Sequence, residues 1–175
     1  DIREALRTGV PLAGLKVDIR KCFDCVSHAQ CLAAFRHFGA PVEFLRVLGD
    51  FYGNHVRWME FRGACASAAI APTRSILQGC PAAALMLAAI MAVWTAVVIP
   101  PAIGGRLRAG VYLDDRTLWT TGPESEEVLQ SAMERAHAVD TALGLALHPD
   151  KGECFATSLP QRRRLARLAQ AWHLK

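Results

Sequence analysis

The sequence lacks several features that would place it in a specialised class of protein. It has no internal repeat, no low-complexity tract and no signal-like start, and its six cysteines are irregularly spaced. These absences argue against a repeat array and against a secreted disulfide scaffold. The cysteine pattern instead predicts an intracellular, reducing compartment, either cytoplasm or nucleus. Because the first residue is Asp1, we expect the chain to be a segment of a longer protein.

Strong net charge is also lacking. Charged residues make up 21% of the 175 residues and the net charge is +4, whereas apolar residues make up 52%. This composition excludes wholesale disorder and is sufficient for the core of about one domain. Most of the cations are arginines, whose planar side chains suit phosphate and carboxylate recognition. The balance permits nucleic-acid binding, but it equally fits an ordinary, slightly basic domain.

Long apolar runs are limited to one segment, residues 82–99, in which Thr95 is the only polar residue. Its length is close to that of a membrane-spanning helix. Pro81 precedes the segment and Pro100 follows it, and prolines at these places are typical of a helix that starts and stops inside a domain. The pattern therefore favours a buried core helix. The alternative, a membrane anchor, predicts solubility that depends on detergent.

The order of the predicted elements indicates the fold class. They are a strand at 14–19, helices that follow Ser27 and Pro41, the apolar helix at 82–99, a linker at 100–110, a hairpin with strands at 110–113 and 117–121, a long helix opened by a capping box at 121–124 and ended by Gly144, and a strand at 153–156. This order predicts an α+β, split βαβ (ferredoxin-like) fold, an antiparallel sheet with helices packed on one face. We expect a core domain over 1–158 and a basic amphipathic helix over 159–175.

Three aspartates occupy unusual places in this pattern. Asp18 ends an apolar strand, and Asp114 and Asp115 lie at the tip of a hairpin with apolar flanks. In a split βαβ sheet the first strand lies beside the hairpin, so we expect these carboxylates to meet. Clustered carboxylates repel one another unless cations lie between them, and Mg²⁺ or Mn²⁺ is the natural choice. Taken alone, the Asp114-Asp115 pair equally fits an ordinary polar turn.

Four segments resemble, in order, the palm motifs of reverse transcriptases (RNA-directed DNA polymerases) of the non-long-terminal-repeat retrotransposon and group II intron type. They are Val-Asp-Ile-Arg-Lys-Cys-Phe-Asp at 17–24, Arg-Ser-Ile-Leu-Gln-Gly-Cys-Pro at 74–81, Tyr-Leu-Asp-Asp at 112–115 and Gly-Leu-Ala-Leu-His-Pro-Asp-Lys at 144–151. The resemblance implies a polymerase palm that adds deoxynucleotides to a primer 3′-hydroxyl by two-metal nucleotidyl transfer.

The resemblance also implies catalytic roles for particular residues. Asp18 and Asp114 would bind two Mg²⁺ ions, or Mn²⁺ in their place, with the peptide carbonyl of Ile19 as a further ligand. Asp115 would be the third acid of the same metal site. Lys151 would lie beside the departing pyrophosphate as a proton donor or charge stabiliser.

A second group of residues would bind the nucleotide. Phe23 would pack under its sugar and leave no room for a 2′-hydroxyl, while Gln78 and Gly79 would lie along the nucleotide and template. Arg74 would contact a phosphate or the backbone, and Tyr112 belongs to the same group through its motif. An ordinary core role for Phe23 and a solvated turn position for Lys151 remain open.

The expected partners are an RNA template, a DNA primer and dNTPs. No fingers or thumb are recognisable, so we expect them elsewhere in the parent polyprotein and expect activity to depend on them. Two residues depart from the family's motifs: Ala83 replaces the usual Ser of the second motif, and His148 replaces the usual Asn of the fourth. Neither change removes an expected metal ligand. The alternatives are a non-catalytic reverse-transcriptase-like remnant that binds nucleic acid or protein, and an RNA-directed RNA polymerase, against which Phe23 argues.

Overall fold

The computed structural model describes residues 2–103, 105–148 and 150–174. Within these ranges the helices are α1 (Ile2–Thr8), α2 (Cys22–Cys25), α3 (His28–His37), α4 (Val42–Gly53), α5 (Pro81–Val98), α6 (Ser125–Leu143) and α7 (Leu159–Ala171). The strands are β1 (Leu12–Asp18), β2 (Glu60–Phe61), β3 (Ala64–Cys65), β4 (Leu107–Tyr112), β5 (Asp115–Thr121) and β6 (Glu153–Ala156). Pro149, within the fourth motif, lies outside the described residues.

The chain divides into two compact units, the first formed by Asp1–Cys22 with Met91–Lys175 and the second by Phe23–Ile90. The first unit contains a four-stranded sheet with the order β4-β5-β1-β6, in which every neighbouring pair is antiparallel. This order places β1 beside the β4–β5 hairpin, as a split βαβ sheet requires. The predicted fold class is confirmed.

The core of the first unit lies on one face of its sheet. Alternation along β5 turns Arg116, Leu118 and Thr120 into the protein, while the residues between them are more exposed. The core includes Leu15, Val17, Trp94, Leu118, Leu129, Met133, Ala136, Leu165 and Leu168, from β1, β5, α5, α6 and α7.

Two local predictions in the first unit are wrong. Strand β4 begins at Leu107 rather than Gly110, because Leu107 pairs with Thr120 and is buried, so the linker is shorter than expected. The capping box that begins at Thr121 does not form, because Thr121 is still paired with β1 in the sheet. Helix α6 therefore has Glu124 at its N-cap position, without a side-chain cap hydrogen bond.

The second unit begins with helices whose ends follow the predicted signals. The Ser27 side chain caps α3 by accepting a hydrogen bond from the Gln30 N–H, and Pro41 occupies the N-cap position of α4. Phe35 and Phe44 join these two helices edge to face, with ring centroids 5.2 Å apart. The short β2–β3 hairpin follows, and it presents Phe61 on the surface.

Helix α5 is the apolar segment identified in the sequence. By length and composition it could cross a membrane, and 44% of it is buried inside the protein. The buried side chains include Met86, Leu87 and Trp94, whereas Leu85 and Val97 are exposed. A helix that is apolar on every side and buries part of its surface in the protein is compatible with a domain core, the interpretation that the flanking prolines favour.

Candidate active site

Asp18 and Asp115 lie directly opposite each other on neighbouring strands. Asp18 is the last residue of β1, Asp115 is the first of β5, and the two are register partners. The Asp18 carbonyl accepts a hydrogen bond from the His148 N–H at 2.8 Å, on the other side of β1. The Asp18–Asp115 pair is therefore of the narrower, non-hydrogen-bonded kind, in which side chains approach most closely. The expectation that distant acids converge is confirmed for these two residues.

The third acid is positioned by the turn of the β4–β5 hairpin. Tyr112 pairs with Asp115, and Leu113 and Asp114 form the connection between the strands. Leu113 has a φ of 55°, in the left-handed region that side chains other than glycine rarely adopt. This conformation is typical of the tight turns that match the twist of paired strands. It holds Asp114 at the tip and leaves Tyr112 largely exposed.

One ammonium group interacts with all three acids. The Nζ atom of Lys151 lies 2.8 Å from Oδ2 of Asp18. Its pKa is raised, first by the hydrogen bond to Asp18 and the charge of that carboxylate, and further by the charges of Asp114 and Asp115. Lys16 adds a second cation, 3.4 Å from Oδ1 of Asp115. The two lysines therefore offset part of the negative charge of the three carboxylates.

The backbone of Ile19 turns towards the hairpin side of the sheet. The Arg20 N–H donates to the Ala146 carbonyl, and the His148 N–H donates to the Asp18 carbonyl. Ile19 and Leu147, which lie between these two hydrogen bonds, face each other as an antiparallel pair with no hydrogen bond of their own. Peptide groups alternate along a strand, and that of Ile19 consequently faces away from Leu147. His148 acts here through its backbone, so its departure from the usual Asn does not remove this contact.

A buried ion pair below the acids was not predicted from the sequence. Nη1 and Nη2 of Arg116 donate to Oδ1 and Oδ2 of Asp140 at 2.7 and 2.9 Å, and both side chains are almost fully enclosed. The guanidinium carbon of Arg116 also lies 4.5 Å from the Trp94 ring centroid. Part of this could have been read from the sequence. Strand alternation places Arg116 on the face of β5 opposite to Asp115, and helical spacing places Asp140 one turn after Ala136 on the buried side of α6.

The oxygen donors at this site fit a hard divalent cation, since carboxylates and peptide carbonyls are the ligands that Mg²⁺ prefers. Asp18 and Asp115 supply adjacent carboxylates, and the peptide of Ile19 faces the same edge. Within the described ranges, however, no three His, Cys, Asp or Glu side chains are assembled as a metal cluster. Lys151 occupies one oxygen of Asp18 instead.

The remaining predicted residues belong to the second unit. The Phe23 carbonyl accepts a hydrogen bond from the Ile76 N–H at 2.8 Å, and Nη1 of Arg74 donates to the Cys25 carbonyl at 2.9 Å. Gln78 and Gly79 are exposed just before α5, and Gly79 has a φ of 89°, which a glycine adopts without strain. The structure thus pairs the end of the first motif and the residues after it with the second motif within this unit.

A split βαβ sheet with acids at the end of β1 and in the β4–β5 hairpin defines a polymerase palm. The chain also matches the family described as reverse transcriptase (RNA-dependent DNA polymerase) over residues 4–165. It therefore belongs to the reverse transcriptase family, as its four motifs predicted.

Similar proteins agree with this assignment. The chain is 26% identical over 148 residues to a retrovirus-related Pol polyprotein from a type-2 retrotransposable element of Drosophila melanogaster, covering 82% of this chain and 13% of the polyprotein. Among solved structures, apo telomerase from Candida tropicalis superposes with a TM-score of 0.68 at 10% identity, covering 90% of this chain and 33% of the telomerase.

A second telomerase structure, from Candida albicans in complex with a fragment of telomeric RNA, has a TM-score of 0.52 at 12% identity and covers 88% of this chain. Likeness at such low identity concerns the fold. The chain spans a third or less of each of these proteins.

Proposed function

We propose that the chain is the catalytic core of an RNA-directed DNA polymerase, which adds dNTPs to a primer 3′-hydroxyl and releases pyrophosphate. The observation that carries this proposal is the facing pair Asp18 and Asp115, with Lys151 bound to Asp18, on a palm sheet of the reverse transcriptase family. Nucleotidyl transfer needs clustered oxygen ligands and a nearby cationic group for the leaving phosphate. These are the groups that the two strands and the fourth motif supply.

The carboxylates of Asp18, Asp114 and Asp115 and the carbonyl of Ile19 would hold Mg²⁺, as two ions, with Mn²⁺ as a substitute. When bound, the ions activate the primer hydroxyl and offset charge on the transferred phosphate. Burial of Asp18 helps here, because a carboxylate that has little contact with water binds a cation more strongly. The sheet register keeps Asp18 and Asp115 together before any ligand arrives.

In this proposal Lys151 serves the leaving group. Its amine is protonated at neutral pH, as in any ordinary lysine, and the hydrogen bond to Asp18 raises its pKa further. A protonated amine can neutralise charge on the departing pyrophosphate or donate a proton to it. To do so it must exchange its contact with Asp18 for one with phosphate, and its exposed, flexible stem permits that movement.

Roles in nucleotide binding are proposed residue by residue. Phe23 would pack under the sugar, and Gln78 and Gly79 would lie along the nucleotide and template. Arg74 would contact a phosphate or the backbone, and Tyr112 is assigned to nucleotide binding through its motif. Exposure of Gln78, Gly79 and Tyr112 supports this assignment, since a binding residue must be accessible. We also propose the division into a palm core at 1–158 and a basic helix at 159–175.

The proposed partners are an RNA template, a DNA primer and the fingers and thumb of the parent polyprotein. The proposed location is intracellular. It is supported by the six cysteines, all of which are thiols rather than disulfides in the structure. A reducing compartment preserves thiols.

Metal titration and primer extension test the function together. Calorimetric titration with Mn²⁺ should show binding that Asp18→Asn and Asp115→Asn each abolish. The same substitutions in the full polypeptide should lower dNTP incorporation on an RNA template by at least about a hundredfold. Glu127→Gln, which removes an exposed carboxylate from α6, is the matched control and should change neither result.

The outcome separates the polymerase from a non-catalytic remnant. A remnant that only binds nucleic acid has no reason to hold divalent ions at Asp18, so template binding with unaltered Mn²⁺ titration in Asp18→Asn would contradict the proposal. Comparison of dNTPs with NTPs on the same template decides between a DNA and an RNA polymerase. Preference for NTPs would favour the RNA-directed RNA polymerase.

A further inference from the structure

Ser75 has an unusual backbone conformation for a residue with a side chain. Its φ is 80°, in the left-handed region, and it is buried. Such conformations are costly for residues other than glycine and persist only where surrounding contacts enforce them. Ser75 lies between Arg74 and Ile76, three positions before Gln78, within the second motif.

The contacts that enforce this conformation use every polar group of Ser75. Nη1 of Arg57 donates to its hydroxyl at 2.9 Å, and Nη2 of Arg57 lies 3.3 Å from its carbonyl oxygen. Nε2 of His28, a buried side chain, lies 3.0 Å from the same carbonyl oxygen. The Ser75 hydroxyl lies 3.3 Å from Oδ1 of Asp24, and its N–H donates to the Val26 carbonyl at 2.9 Å.

The same segment is tied to the first motif through the backbone. The Ile76 N–H donates to the Phe23 carbonyl at 2.8 Å, and the His28 N–H donates to the Thr73 carbonyl at 3.2 Å. Ser27 and Arg74 form an isolated antiparallel bridge between these contacts. Residues 23–28 and 73–76 are therefore paired, and Ser75 lies at the centre of the pairing.

We propose that Arg57 and His28, by holding Ser75 in its left-handed conformation, position Phe23 relative to Gln78 and so set the preference for deoxynucleotides over ribonucleotides. The inference rests on the proposed polymerase function. Arg57, His28 and Ser75 are positioning residues, because they act through Phe23 and Gln78. A shift of the Phe23 backbone would open space below the sugar, where a 2′-hydroxyl is otherwise excluded.

The test is Arg57→Met in the full polypeptide, which keeps an unbranched, largely aliphatic side chain and removes both donors to Ser75. The ratio of kcat/KM for dNTP to that for NTP should fall by about tenfold, equivalent to ~1.4 kcal/mol of discrimination. Arg46→Met removes the same charge from an exposed position on α4 and should leave the ratio unchanged. Ser75→Gly, which tolerates the backbone conformation but lacks the hydroxyl, should give a smaller fall in the same direction.

Hydrogen exchange supplies a readout that does not need activity. In Arg57→Met, the Ser75 and Ile76 amides should lose about tenfold protection relative to the Leu45 amide at the start of α4. Unchanged protection would overturn the inference, and so would lost protection with an unchanged sugar ratio in an active enzyme. If the unsubstituted polypeptide incorporates no nucleotide at all, the proposed function itself fails, and the selectivity role fails with it.

Discussion

The Lys151 ammonium and the Asp18 carboxylate form an ion pair with 2.8 Å between Nζ and Oδ2. Asp18 is also one of the residues proposed to bind Mg²⁺, so the lysine and the metal compete for the same oxygen. The structure thus contains its own counter-charge for a cluster of carboxylates that would otherwise repel one another.

Replacement of Lys151 by Met should strengthen metal binding and weaken catalysis. Without the ammonium, Asp18 is available to the cation, and affinity for Mn²⁺ should rise by about two- to tenfold. Turnover should fall by about a hundredfold or more, because the leaving pyrophosphate loses its cation. Calorimetry and primer extension measure the two effects. Arg163→Met, which removes an exposed charge from α7, is the control, and weaker Mn²⁺ binding in Lys151→Met would contradict the competition.

Loss of Asp140 should destabilise the protein strongly. Asp140→Leu leaves the Arg116 guanidinium buried without its carboxylate, which costs about 3–5 kcal/mol of unfolding free energy. The double variant Arg116→Met with Asp140→Leu should recover most of that loss, because an apolar pair removes the buried charge altogether. Urea denaturation measures both.

The exposed pair of Arg106 and Glu124 is the matched comparison for this ion pair. Glu124→Gln should lower the free energy of unfolding by at most about 1 kcal/mol, because water already solvates both side chains. Equal losses for Glu124→Gln and Asp140→Leu would show that burial does not determine the strength of the Arg116–Asp140 pair.

Alkaline pH should destabilise the fold through Cys31. Burial raises the pKa of its thiol from 9.0 to about 12. The unfolded chain therefore releases this proton above pH 9 while the native protein retains it, and stability falls as pH rises towards 12. The expected slope is ~1.4 kcal/mol per pH unit. Urea denaturation across this range should give a shallower decline for Cys31→Ala, whereas Cys65→Ala, at an exposed site, should follow the unsubstituted protein.

Gly14 should tolerate no side chain. A Cβ atom there would meet the Phe155 ring and would lie 2.6 Å from the Leu118 carbonyl oxygen, which belongs to the neighbouring strand and cannot move away freely. Gly14→Ala should lower the free energy of unfolding by about 1–3 kcal/mol. Gly110→Ala in β4 is the control, since its nearest contact is the Trp119 ring at 3.5 Å. Thermal unfolding compares them, and equal melting temperatures would disprove the steric argument.

The larger elements of the fold could be predicted because their signals are local. Ser27 caps α3, Gly144 ends α6 with a φ of 71°, and the apolar run became α5. The order of these elements led to the split βαβ sheet, and that sheet led to the pairing of Asp18 with the hairpin. The acids of the candidate site could therefore be predicted from the sequence, and so could the neighbouring residues of their motifs.

Prediction failed where the outcome depended on strand register. Thr121 has the spacing of a capping residue, yet it remains in the sheet because Leu12 pairs with it. Leu107 likewise joins β4 because Thr120 lies opposite. In both cases a long-range hydrogen-bonded partner outweighed a weak local preference.

The sequence by itself determined which helices and strands form, their order, and the family to which the chain belongs. Only the tertiary structure decided that Arg116 pairs with Asp140, that Lys151 reaches Asp18, and that Ser75 adopts a left-handed conformation. The reason is physical. Helix caps and apolar periodicity act between residues a few positions apart, whereas a buried charge or a strained backbone is stable only when distant segments supply its partners.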